Sequence, residues 1–292
     1  MRSVHTPHTP VRTSSRVVRV SPAGKPPFDV AYERRGSGEP LVLLHGIGHH
    51  WQAWEPVLTA LSASYDVIAL DLPGFGASPP LPAGVPYGLE TMVPLLADVC
   101  AALDVERPHV AGNSLGGLLA LEMGRYGYAR SVTALSPGGF WNAPERLWAV
   151  GLLRGMRAGA RGIPDGALRR VAETPAGRWM LTNTIYTRPG HRSPDAVVAE
   201  TRALRDATAF EQVLASEQRP RPGASRAITG IPVTVAWGDR DLILLRRQGV
   251  RAKRAIPAAR LVRLRGCGHV PMNDDPATVT RVVVDTARAA SA

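Results

Sequence analysis

The stretch VAGNSLGG, residues 110–117, sets Ser114 between Gly112 and Gly116. A serine hydroxyl attacks a carbonyl carbon only when a base takes its proton, and the base works only when an acid holds its tautomer. The flanking glycines have a mechanical reason. Where a strand turns abruptly into a helix, the turning residue is forced into strained backbone angles, and side chains two places away would strike the neighbouring strand and helix. The G-x-S-x-G spacing therefore predicts that Ser114 stands at such a turn. A phosphate cradle is the competing reading of a glycine-rich turn, but G-x-x-x-x-G-K-S/T needs a lysine that this segment lacks. GFGAS at 74–78 likewise lacks the third glycine of a dinucleotide fingerprint.

The chain holds eight histidines. His269, in RGCGHVP, follows the last strand-like run, which is where the base falls in the chain order serine, acid, histidine. His5 and His8 lie near the amino end, His109 in a strand-like run and His191 in a helical region. WGDRD follows the apolar run PVTVA and offers Asp239 and Asp241; one is read as the orienting acid, the other as a solvated loop carboxylate. HGIG at 45–48 is a third turn after a strand. It is expected to aim the Ile47 backbone N–H at a developing oxyanion, with the Leu115 N–H as second donor, each typically worth about 3–4 kcal/mol at the transition state. His45 and His49 raise the question of a metal, but a glycine-bearing turn is not a helix face and no acidic ligand adjoins it. No metal and no cofactor are expected. His49 and His50 read as pocket rim or solvent-facing, Trp51 and Trp54 as packing residues.

The elements that must position these groups alternate along the chain. RVVRV (16–20) and FDVAYE (28–33) predict an opening hairpin, followed by a strand at 40–46, a helix at 51–63 and a strand at 65–71. A helix is predicted over 89–103 in spite of Pro94, then a strand at 107–113, a helix at 115–126 and a strand at 131–136. Near-continuous apolar runs suit strands buried on both faces, and strand–helix alternation suits a doubly wound α/β sheet. Residues 138–222 break the pattern with helical spacing only, closing on the Pro/Arg run QRPRPG. Strand, helix and strand then resume at 231–238, 246–256 and 259–266, and a last helix follows Pro276 with Asp275 as its N-cap.

Composition narrows the function classes. A chain of 292 residues, 45% hydrophobic, can build one large α/β domain or two small ones. No apolar run approaches the roughly 18 residues of a membrane helix. The segment MRSVHTPHTPVRTSSR lacks the apolar region of a secretory signal, so residues 1–15 are expected to be a disordered tail and the protein cytoplasmic. Its two cysteines cannot form a disulfide framework, and Cys100 is expected to pack as a small hydrophobe. The net charge of +11 is dispersed and nearly all arginine, with aromatics at only 5%, so no nucleic-acid partner is expected. A weaker functional reading lets the arginines of 140–222 draw in an anionic substrate.

Five segments in order resemble the α/β-hydrolases of the lid-bearing serine-hydrolase kind: HGIG, DLPGFGAS at 71–78, GNSLGG at 112–117, WGDRD at 237–241 and GCGHVPMNDDP at 266–276. The resemblance implies a mostly parallel eight-stranded sheet with helices on both faces. It implies Ser114 as nucleophile, His269 as base and Asp241, three residues after the glycine of WG, as the acid in preference to Asp239. It makes residues 138–222 a helical cap inserted between core segments 16–137 and 223–292. Haloalkane dehalogenases and epoxide hydrolases carry aspartate at the elbow, so they are disfavoured. The expected reaction is cofactor-free cleavage of a small to medium carboxylic ester through an acyl-enzyme. GNSLGG and DLPGFGAS are also similar to the carbon–carbon bond hydrolases of aromatic degradation, whose longer glycine run HGIGHHW does not share. Perhydrolase or haloperoxidase-like chemistry and a ligand receptor on the hydrolase fold are the remaining alternatives. Asp274 stands where the family more often has glutamate, a change expected to be harmless.

Overall fold

Successive residues of each central strand point to opposite faces, and both faces are buried. Leu41 and Leu43 of β3 (Glu39–Leu44) join one apolar cluster, while Val42 and Leu44 join the other. The same division holds in β4 (Tyr65–Leu70), where Val67 and Ala69 oppose Ile68 and Leu70. A strand dry on both sides has no use for polar residues, which is why these segments read as unbroken apolar runs. The computed structural model describes residues 15–216 and 228–291. The tail expected over 1–15 lies outside that range except for Ser15, as does the whole of QRPRPG.

Eight strands form one sheet in the order β1-β2-β4-β3-β5-β6-β7-β8. β1 (Arg16–Val20) and β2 (Phe28–Arg35) pair antiparallel as the expected hairpin, and β2 also runs antiparallel to β4. From β4 onward every pairing is parallel, through β5 (His109–Asn113), β6 (Ser131–Leu135), β7 (Val233–Gly238) and β8 (Arg260–Leu264). One face is covered by α1 (Glu55–Ser62) and the carboxyl-terminal helix (Pro276–Arg288), together with Trp51 and Trp54. Residues of α2 (Leu89–Ala102) and α3 (Leu115–Arg125) pack in the other cluster. Trp51 and Trp54 are fully buried, as expected of packing residues, though a 3-10 turn at Trp51–Trp54 precedes the helix proper. Strand order reverses at β3, which lies between β4 and β5. The crevice beyond the carboxyl ends of such neighbours is where open α/β sheets bind ligands.

Between β6 and β7 the chain leaves the sheet, and the described residues there form the helices α4 (Ala143–Arg161), α5 (Asp165–Glu173), α6 (Pro175–Thr182), α7 (Pro194–Asp206) and α8 (Phe210–Ala215). A capping box starts α4, with Asn142 Oδ1 accepting from Glu145 N at 2.9 Å and Glu145 Oε2 accepting from Asn142 N at 3.0 Å. The same buried carboxylate takes the guanidinium groups of Arg247 and Arg251, on α9 (Arg247–Ala255) of the sheet region, and so moors the inserted helices to the core. Many arginines of this insertion are spent on ion pairs within it, including Arg154 with Glu211, Arg169 with Asp195, and Arg202 and Arg205 with Asp165. Among the described residues none of its arginines lines the cavity described next.

Candidate active site

Ser114 follows the last residue of β5 and precedes the first of α3, with φ +56° and ψ −114°. Such angles cost a non-glycine residue of order 1–3 kcal/mol and persist only where the surroundings over-determine them. Here they do. Ser114 N donates to Leu135 O at 3.0 Å, and Ser114 O accepts from Leu118 N and Gly138 N at 3.0 and 3.1 Å. The glycines are sterically required. A Cβ at Gly112 would lie 2.0 Å from Gly116 O, and one at Gly116 would lie 2.1 Å from Leu44 O. Neither obstacle is a side chain that can swing away. Gly116→Ala is therefore expected to destabilise the protein by about 3 kcal/mol or more in urea titration. Gly155→Ala, in open space inside α4, is expected to stabilise it by about 0.5–1 kcal/mol, because alanine loses less backbone entropy.

Of the two aspartates in WGDRD, it is Asp241 that meets His269. His269 Nδ1 lies 2.8 Å from Asp241 Oδ2, both side chains buried. A carboxylate partner holds the proton on Nδ1 and leaves Nε2 with its lone pair free. Asp241 Oδ1 accepts from the Ile243 and Leu244 N–H groups at 2.9 and 2.8 Å, so the carboxylate cannot rotate away from the ring. Asp239 is not the solvated carboxylate that the sequence suggests for the second aspartate. It takes Arg263 and the Gly266 N–H at 2.8 and 2.7 Å, pinning the loop that leads to His269. Burial alone would raise its pKa, but these partners, Arg263 foremost, hold it below the usual carboxylate range.

Behind the elbow, the turn after β3 closes through His49 N to Gly46 O at 3.2 Å, and His45 O accepts from Gly116 N at 3.1 Å. Among the described residues neither the Ile47 nor the Leu115 backbone N–H makes a hydrogen bond, so both remain available to a ligand. His45 is structural. Its Nε2 accepts from Leu72 N at 2.9 Å, Nδ1 lies 2.7 Å from Gly46 O, and burial pushes its pKa down to about 3. Among the described residues no three His, Cys, Asp or Glu side chains cluster as metal ligands.

Four features were invisible in the sequence. Asn113, the residue before the nucleophile, donates from Nδ2 to His269 O at 2.9 Å and to Leu135 O at 3.1 Å, tying the histidine loop to the elbow. Asp274, read as a harmless change, accepts from Gly268 N at 2.8 Å and also from Thr187 N and Arg188 N, joining the inserted helices to the histidine loop. Asp71, in DLPGFGAS, accepts from Trp51 N and Ala77 N at 2.6 and 2.8 Å, and its carboxylate occupies the space a Cβ at Gly76 would need. His49 and His50, read as pocket rim or solvent-facing, are both buried, His49 in the cavity wall as the first of those readings has it; the depth of their burial is what the sequence did not announce.

That cavity has a volume of about 310 Å³. It is lined by Ile47, Ser114 and His269 from the core and by the inserted segment, mostly through apolar side chains such as Leu153 and Met156 of α4 and Leu204 of α7, with Glu200 and Thr201 of α7 among the polar exceptions. Among the described residues no helix is long and apolar enough to cross a membrane.

A model of the Alpha/beta hydrolase family matches residues 41–282. A curated protein of Mycobacterium tuberculosis, itself uncharacterized, is 30% identical over 268 residues, covering 87% of this chain and 76% of that one. The pimeloyl-(acyl-carrier protein) methyl ester esterase of Aeromonas hydrophila is 46% identical over 96 residues, covering 33% of this chain and 36% of its own. Among solved structures, a membrane phospholipase A described as a bacterial virulence factor superposes with a TM-score of 0.74 at 25% identity, over 95% of this chain and 86% of that one.

Proposed function

The chain belongs to the alpha/beta hydrolase family, and from that membership we propose that it cleaves a carboxylic ester with a small to medium acyl chain through an acyl-enzyme on Ser114. The observation that carries this reading is a strained serine and a carboxylate-held histidine lining one apolar cavity. His269 Nε2 takes the proton of Ser114 as its Oγ attacks the ester carbonyl carbon. The negative charge that develops on the carbonyl oxygen is met by the N–H groups of Ile47 and Leu115. His269, now an imidazolium steadied by Asp241, returns the proton to the leaving alcohol. Water then gives a proton to the same nitrogen and attacks the acyl carbon; the bond from that carbon to Ser114 Oγ breaks as the imidazolium returns the proton to Oγ, and the acid is released. Residues 138–222 act as the cap that shapes the acyl site and excludes water.

Two observations favour an ester over a carbon–carbon bond in a carboxylate-bearing diketone. The cavity wall among the described residues holds no arginine to receive the carboxylate, and it does hold the carboxylate of Glu200. Apolar lining instead rewards methylenes, at about 0.8 kcal/mol for each one buried. Brief incubation with p-nitrophenyl esters, acid quench and peptide mass spectrometry tests the proposal. The expected result is an acyl adduct on the peptide carrying Ser114, with kcat/KM rising severalfold from acetate to butyrate. Turnover without any adduct on that peptide would overturn the acyl-enzyme.

A further inference from the structure

Several large apolar side chains that face solvent stand together rather than singly. Leu147 and Trp148 on α4 are 76% and 55% exposed, Leu242 in the loop after β7 is 51% exposed, and Val250 on α9 and Leu261 on β8 are exposed as well. Direct contacts join the segments that carry them. Trp148 Nε1 donates to Leu242 O at 2.9 Å. Glu145, one turn earlier on α4, holds Arg247 and Arg251 of α9, and a Cβ at Gly249 of α9 would lie 3.5 Å from Leu261 Cδ1. These residues form one surface, running from the start of α4 across α9 to the edge strand β8.

That surface is strongly basic. From Leu242 to Asn273 the sequence has eight lysines and arginines and no aspartate or glutamate. Because α9 buries Gln248, Gly249 and Ala252, its outward face presents Arg247, Val250 and Arg254, with Arg246 just before them. Glu145 offsets part of the charge of Arg247 and Arg251, and Asp239 takes Arg263. Among the described residues Arg246, Arg254 and Arg265 have no acidic partner, and Lys253 Nζ donates to the carbonyls of Pro257 and Ala259.

The mixture of side chains decides what such a face receives. The centre of a protein–protein interface is apolar and depleted of charge, with the charges at its rim. Here cations and apolar side chains are interleaved: Arg146 precedes Leu147 and Trp148, and Val250 stands among Arg246, Arg247 and Arg254. A lipid surface meets both kinds at once, because headgroup phosphates and the first acyl carbons lie within about 5–10 Å of depth. Arginine stems reach the phosphates while leucine, valine and tryptophan enter the acyl boundary.

We propose that this face seats the protein on an anionic membrane surface, lying on the bilayer rather than crossing it. Lipid phosphates face the cations of α9 and its flanks, and Leu147, Trp148, Leu242 and Val250 reach the acyl boundary. Ile243, the neighbour of Leu242, lines the cavity of Ser114, as does Leu153 of α4, so apolar compounds dissolved in the bilayer are concentrated close to that cavity. Seating requires no turnover, so it stands or falls apart from the ester reading.

Co-sedimentation with vesicles tests it, using phosphatidylcholine with and without about one quarter phosphatidylglycerol. The protein is expected to bind the anionic vesicles at least about tenfold more tightly, and to be released as salt rises from about 20 mM to about 500 mM. Arg246→Glu with Arg254→Glu is expected to weaken binding at least about tenfold. Leu147→Ser with Val250→Ser is expected to weaken it severalfold. Arg161→Glu with Arg170→Glu, both exposed elsewhere on α4 and α5, changes the net charge equally and is expected to weaken binding at most about twofold. Thermal melts followed by circular dichroism establish that each variant is folded before its binding is read. Failure to bind anionic vesicles at low salt overturns the proposal, as do equal losses in the two charge-reversed pairs, which mean adsorption by net charge alone. Binding unchanged by Leu147→Ser with Val250→Ser also overturns it, because a merely basic face needs no apolar contact. Retention on polyglutamate or heparin with none on vesicles would assign the face to an acidic macromolecule instead. Vesicle binding without turnover of any ester would leave the membrane seat standing and sink the ester reading; turnover without vesicle binding would do the reverse.

Discussion

Ser114→Ala is expected to eliminate the burst of nitrophenol from p-nitrophenyl butyrate and to lower kcat/KM by about 10⁴ to 10⁶. Alanine keeps the Cβ and the same strained backbone, so the fold and the cavity change little; only the attacking oxygen is lost. The hydroxyl cannot be replaced in kind, because water entering the cavity is neither bonded in place nor held against the carbonyl carbon. What activity remains belongs to the two backbone donors and to substrate binding, which persist without the nucleophile. Stopped-flow traces through the first turnover separate the cases. A wild-type burst equal to the enzyme concentration, absent in Ser114→Ala, is the expected pair of results. A burst that survives the substitution would assign the covalent step to another residue, and the roles of His269 and Asp241 would fall with it.

The second large effect discriminates two aspartates in the same loop. Asp241→Asn is expected to lower kcat by about 10⁴, whereas Asp239→Asn is expected to leave kcat within a few-fold of the wild type. The reason is the proton on the imidazole. The Asp241 carboxylate can only accept, so it keeps hydrogen on Nδ1 and a lone pair on Nε2. An amide held by the same Ile243 and Leu244 N–H groups through its oxygen would present its NH₂ to the ring and reverse that tautomer. Asp239 instead holds Arg263 and the Gly266 N–H. Its amide variant is expected to lose about 1 kcal/mol of stability in chemical denaturation with little change in turnover. Equal losses of kcat in the two variants would show that the loop as a whole, rather than the carboxylate facing His269, supports the chemistry.

Much of this protein was legible because its signals are local. Steric conflict inside the turn demands glycine at 112, while at 116 the conflict is with the neighbouring strand at Leu44; both follow from a strand turning sharply into a helix beside another strand, so G-x-S-x-G announces such a turn in the sequence. Burial on both faces makes the parallel strands continuous apolar runs, and the antiparallel hairpin, the crossover helices and the Asp275 N-cap, whose side chain accepts from Thr278 N at 3.0 Å, follow from short-range rules. The places of His269 and of the Asp239/Asp241 pair were legible for a further reason. Each falls in the loop just after its own strand, and parallel strands deliver those loops to one edge of the sheet.

What the chain encodes only through its fold is the meeting of distant partners. Nothing around Asn113 announces that its amide will reach the carbonyl of His269, 156 residues later. Asp239 and Asp241 differ by two places in sequence, yet one meets the imidazole and the other an arginine of the adjacent strand, because the loop after β7 turns between them. His49 could be read as pocket rim or solvent-facing alike, because the inserted helices that line the cavity with it come far downstream, and Glu200 carried no signal at all on a helix of ordinary polar spacing. Local backbone geometry is settled by contacts a few residues apart, so the sequence by itself determined the sheet, the elbow and the order of the reacting groups. Cavity shape and the partners of buried charges depend on side chains brought together by packing, and only the tertiary structure decided those.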